Sequence, residues 1–148
     1  LRIHTRLPVT IPSRITRGLE SLLSNTRLDI AFIIHANHAN EIDNALISSM
    51  HRLQRNGVSL FNQSVLLRGV NDDSVTLAAL SERLFEAKVI PYYLHLLDPV
   101  AGSAHFDIPI ERAHAIEREL RTMLPGYLMP RFVREIPHQD SKTPIHLI

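Results

Sequence analysis

The sequence predicts an α/β fold, with parallel strands alternating with helices as part of a barrel. Three observations carry that expectation. Short aliphatic runs recur along the chain, segments between them space their apolar residues by three to four, and polar residues cluster where the runs end. Repeated β–α units with short connections imply a parallel sheet with right-handed crossovers, either a barrel or an open doubly wound sheet. The barrel is favoured.

Leu1 to His4 already reads as a strand in progress, with no initiating Met and no preceding cap or turn. The chain is therefore expected to be a fragment of a larger barrel, and because a severed piece would expose sheet edges, a stable isolated domain is not expected. Pro12-Ser13 precedes the first helix, because proline is pre-organised for a helix N-terminus. Ile30 to His35 forms the second strand, and Ile42, Leu46, Met50 and Leu53 line one face of the next helix, which Gly57 ends. Ser64 to Leu67 is the third strand. Asp73-Ser74 then starts a helix whose apolar face carries Val75, Leu80 and Leu84. Val89 to Leu94 is the fourth strand. Asp107-Ile108-Pro109 introduces a helix with Ile110, Ala113, Ile116 and Leu120 inward, ending near Gly126, and Phe132 to Ile136 is the last strand. The stretch from Pro137 to Pro144 is polar and loop-like. The expected organisation is one barrel-derived unit over residues 1–136 and a lysine-bearing loop or tail over 137–148, with no internal repeat.

The 148 residues are 45% hydrophobic and 21% charged, the profile of one globular domain or a large part of one, and not of a disordered chain. A formal charge of +1, with basic and acidic residues interleaved, gives no electrostatic footprint for nucleic acid. No apolar run approaches the roughly 18 residues a membrane span needs, and no signal-peptide pattern opens the chain, so a cytoplasmic location is expected. The chain has no cysteine, which excludes disulfides, thiolate metal sites and an iron–sulfur cluster ligated by this segment.

Candidate chemistry lies at the strand exits. His35, Asn37 and His38 follow the run Ala31-Phe32-Ile33-Ile34, so they either reach a ligand or, for Asn37 and His38, cap the following helix. No third ligand accompanies His35 and His38, so no zinc site is expected. Gln63 is an amide in an apolar strand that needs hydrogen-bond partners if buried. Asn71 and Asp72 serve the turn after that strand, with Asp72 or Asp73 capping the helix beyond. Asp98 emerges from Tyr92-Tyr93-Leu94-His95-Leu96-Leu97, where a partly desolvated carboxylate can bind a cation or cap the turn at Pro99. Glu135 closes the last strand. Lys142 is either a solvated loop charge or, if its surroundings lower its pKa, a Schiff-base lysine.

Taken together, Arg6-Leu7-Pro8-Val9, Pro12-Ser13-Arg14-Ile15-Thr16, His35-Ala36-Asn37-His38, Asn62 to Asp72, Pro91-Tyr92-Tyr93, Gly102-Ser103-Ala104-His105-Phe106 and Ser141-Lys142-Thr143-Pro144 stand in an order that resembles the C-terminal half of the lysine 2,3-aminomutase family of radical S-adenosylmethionine enzymes. The likeness is greatest to the branch that makes β-lysine for elongation factor P. It implies the C-terminal part of a partial (β/α)6 radical-SAM barrel, partnered by the N-terminal half of the same barrel. It also implies conversion of L-α-lysine to (R)-β-lysine by a deoxyadenosyl-radical, pyridoxal-phosphate-dependent 1,2-amino shift, with S-adenosylmethionine and a [4Fe-4S] cluster as further cofactors.

On this resemblance Lys142 is the pyridoxal phosphate lysine, Asp98 and Glu135 hold the substrate ε-ammonium, and His35 and Gln63 contact S-adenosylmethionine. Glu135 stands where many aminomutases have Asp, and the loop before Lys142 is Pro137-His138-Gln139-Asp140-Ser141 rather than glycine-rich. The CxxxCxxC cluster motif and the C-terminal zinc cysteines have no counterpart, so the segment alone is expected to be inactive and a zinc-linked dimer is not expected. Two other readings stay open: an aminomutase for another amino acid, which the two carboxylates disfavour for acidic substrates, and a non-catalytic binding or scaffold domain built on the same barrel.

Overall fold

A computed structural model describes residues 1–98, 101–137, 139 and 141–147. Six strands form one sheet in chain order: β1 (Arg2–Thr5), β2 (Ala31–Ile34), β3 (Ser59–Leu66), β4 (Ile90–Leu96), β5 (Arg131–Arg134) and β6 (Thr143–Pro144). β1 to β5 are parallel, and β6 runs antiparallel to β5. Helices α1 (Leu7–Thr10) and α2 (Arg17–Ser24) join β1 to β2, and α3 (Asn44–Arg55), α4 (Ser74–Glu86) and α5 (Ile110–Met123) make the next three crossovers. A strand order that follows the chain without reversal is a barrel segment; a doubly wound sheet reverses at a switch point.

The helices pack on one face of the sheet. Phe32, Ile34 and Leu60 meet Leu46, Met50 and Leu53 in one cluster, and Leu66, Leu94 and Leu96 meet Leu77, Ile116 and Leu120 in a second. Along β3 burial alternates residue by residue, with Leu60, Asn62, Ser64 and Leu66 inside and Phe61, Gln63 and Val65 half-buried on the opposite face. That opposite face lines the cavity described below. β4 breaks the alternation, because Asn62 pairs with Pro91 but Gln63 with Tyr93, and the extra residue is Tyr92. This bulge turns Tyr92 and Tyr93 together toward the cavity.

Several expectations shift at element ends. β3 begins at Ser59 and not Ser64, because its buried positions 62 and 64 carry polar side chains that break the apolar run. Pro12–Arg14 is a single 3₁₀ turn, and α2 starts after Thr16, whose hydroxyl accepts from the Leu19 N–H at 3.2 Å. Val75 is exposed, so the inner face of α4 is carried by Leu77, Leu80 and Leu84. α5 ends at Met123, ahead of Gly126, which lies in a 3₁₀ turn after Pro125. The C-terminal stretch, read as a loop or tail, returns as β6 and a 3₁₀ turn, and Ile145 is fully buried among Phe132, Leu128 and Leu120.

Candidate active site

The loop leaving β2 is fixed by a relay of amides. Asn62 accepts from the Ala36 N–H at 2.9 Å and donates to the Ala36 carbonyl at 3.0 Å and to Ser64 at 2.7 Å. Asn37 accepts from the Val65 N–H at 2.9 Å, and Asn71 donates to the carbonyls of Asn37 and Val65 while accepting from the Leu67 N–H. Glu41 accepts from the N–H groups of Asn37 at 2.6 Å and His38 at 3.0 Å and pairs with Arg6, which also donates to the His35 carbonyl. Arg6 thereby ties the exit of β1 to that of β2. His38 caps the 3₁₀ turn at Ala39–Glu41, and Asp73 caps α4, accepting from the Thr76 N–H at 2.8 Å. Of the amides at positions 62 and 63, the buried one is therefore Asn62, with partners for both ends of its group, and Gln63 points to the cavity.

A cavity of about 820 Å³ spans the sheet from β1 to the end of β5. Gln63, Tyr92 and Tyr93 form its floor, and Glu135, Ser141 and Lys142 close one side. The Lys142 ammonium donates to Glu135 and stands 5.7 Å from the centre of the Tyr93 ring. That hydrogen bond first, and the lysine charge second, hold the Glu135 carboxyl below its ordinary range. β6 brings Lys142 there, since its pairing with β5 folds the chain back over Val133 and Arg134.

A smaller cavity of about 340 Å³ adjoins it through the shared Gln63, and contains Arg6, His35, His95 and the exposed Asp98. The structure thus groups His35 and Asp98 on one side and Glu135 and Lys142 on the other, with Gln63 between the two. The Nε2 atoms of His35 and His95 are both buried without a hydrogen-bond partner. Burial, then the charges of His4 and Arg6, push the His35 imidazole below its ordinary pKa. Burial and then the Lys142 charge do the same for His95, against the opposing pull of Glu135 and Asp98. Sequence reasoning gave no role to His95, Asn62 or the Arg6–Glu41 pair. The alternation of β4 was the available signal for His95, and the Tyr92 bulge obscured it.

Among the described residues no group of three His, Cys, Asp or Glu side chains is placed to hold a metal ion, and no helix is long and apolar enough to cross a membrane. His138, Asp140 and Pro99 lie outside the described residues.

No protein-family model matches the chain. The fold is that of a radical SAM barrel: a radical SAM methyltransferase from Sphaerobacter thermophilus superposes with a TM-score of 0.57 at 19% identity, over 90% of this chain and 40% of that one. The particular likeness comes from sequence. The chain is 52% identical to the L-lysine 2,3-aminomutase of Escherichia coli (strain K12) and 48% to that of Buchnera aphidicola, over 99% of its own length in both cases. The match to that of Haemophilus influenzae is 50% over 97%. The family resemblance read from the motifs is borne out along nearly the whole chain, which spans 43% of the length of the first two relatives.

Proposed function

We propose that this chain is the C-terminal part of an L-lysine 2,3-aminomutase that forms (R)-β-lysine, in the branch serving elongation factor P. The reading is supported above all by Lys142, which meets a carboxylate on the wall of the large cavity of a chain so similar to proteins of that name. Lys142 and Ser141, with the Tyr92 and Tyr93 rings, fit pyridoxal phosphate, and Arg2 on the same wall is a counter-charge for an anionic group. When bound, that cofactor supplies a conjugated electron sink at the substrate nitrogen.

His35 and Gln63 are the contacts for S-adenosylmethionine, an assignment that the unpartnered His35 Nε2 in their shared cavity supports. Glu135 holds the Lys142 ammonium until that charge is removed, and then turns with Asp98 to the substrate ε-ammonium. Two carboxylates in adjoining cavities favour a long cationic side chain over an acidic one. A [4Fe-4S] cluster requires thiolates, which residues 1–148 do not contain, so its ligands come from other sequence and this segment alone is inactive.

Borohydride reduction of the full-length protein with pyridoxal phosphate, followed by peptide mapping, tests the reading. Label on Lys142 that disappears in Lys142→Ala is expected. Label elsewhere, or none, would favour a scaffold built on the barrel.

A further inference from the structure

Resting on the lysine-aminomutase reading, we infer that His95 is a third, uncharged contact for the substrate's distal ammonium, seated between Asp98 and Glu135 and deciding selectivity with them. An alkylammonium has three N–H donors and no acceptor, so two carboxylates leave one donor to be met. Asp98 and Glu135 line different cavities, and His95 lines the smaller one with Asp98 and feels the charges of both carboxylates. On this inference a cation shared by the two acids lies against His95.

The imidazole is already prepared for that contact. β4 directs it to the cavity face two residues beyond Tyr93, whose ring meets it edge-on at 5.7 Å. Its Nε2 is buried with no protein partner, a state that costs about 1–3 kcal/mol and that an N–H donor from a ligand relieves. With the proton on Nδ1, Nε2 offers its lone pair. The groups that face it are Lys142, Glu135, Asp98, His35 and Tyr93, and burial, the largest influence on it, favours the neutral ring, which does not repel an incoming cation. His35 shares the orphaned Nε2 but is the poorer site for a cation, because the charges of His4 and Arg6 act on it.

The test is calorimetric binding of L-lysine and of L-norleucine, which lacks only the ε-nitrogen, to the full-length protein and its variants. The wild type should prefer lysine. His95→Phe should weaken lysine about tenfold and leave norleucine unchanged, and His95→Asn, which restores an acceptor, should recover part of the loss. Equal weakening of both ligands, or lysine binding by His95→Phe at wild-type strength while Asp98→Asn still loses it, would overturn the role of His95 alone. A wild type that does not distinguish lysine from norleucine would overturn the lysine reading and this inference with it.

Discussion

Asn62 and Gln63 are adjacent amides with opposite fates. Asn62 is 1% exposed and bonds both the N–H and the carbonyl of Ala36, while Gln63 is half-buried and shared by the two cavities. Replacing Asn62 by Ala strands buried backbone groups and should cost about 2–3 kcal/mol in urea denaturation, whereas Gln63→Ala should stay within about 0.5 kcal/mol. A Gln63→Ala variant as damaged as Asn62→Ala would reverse the assignment. Sequence alone gave no role to Asn62, because its partner is a backbone 26 residues earlier and a backbone partner leaves no mark in side-chain identity. His35 and Asp98 drew attention for the opposite reason, since each follows an apolar run from which its type departs, whereas Lys142 stands in a polar stretch and was singled out by the family resemblance.

At the scale of elements, α3, α4 and α5 followed the spacing of their apolar residues, since three or more turns give that signal room to repeat. The short strands were harder to bound. A polar pair inside β3 and a bulge in β4 each interrupt a two-residue period, and a strand of seven or eight residues has few repeats to lose. β6 was invisible, because two residues of Thr-Pro carry no period at all. It is nonetheless the element that brings Lys142 to Glu135. Its hold comes from the neighbouring Ile145, 0% exposed in the cluster formed by α5 and β5. Ile145→Ala should remove about 3 kcal/mol of packing. If that packing anchors β6, the amide of Thr143 should lose protection from hydrogen exchange in this variant while those of α3 keep theirs. Unchanged protection at Thr143 would mean that β6 pairing suffices without the anchor.

Across the whole molecule the perturbed groups set how stability follows pH. His35 and His95 both have pKa values lowered below 6.5 in the fold, chiefly by burial, so the folded state binds fewer of these protons than the unfolded chain between the two values. Stability is then complete above about pH 6.5 and is lost as pH falls from there through the lowered values. Asp73 and Glu135 act in the same sense at lower pH. Asp73 is held down by its bonds to Thr76 and Glu135 by Lys142, and the stability they add is present above their ordinary values of 3.8 and 4.5 and lost below. The contribution of Glu135 is small because its side chain is 55% exposed and solvent screens the pair. Two acid limbs should therefore appear, the upper one owned by the two histidines that line the smaller cavity. Urea midpoints measured at pH 7.5 and 5.5 should fall for the wild type and change less for the His35→Asn, His95→Asn double variant. Because the comparison is between two pH values within each protein, a constant packing loss from the substitutions cancels. A double variant with the full wild-type drop would assign the upper limb to other groups and remove the argument that the cleft holds neutral imidazoles.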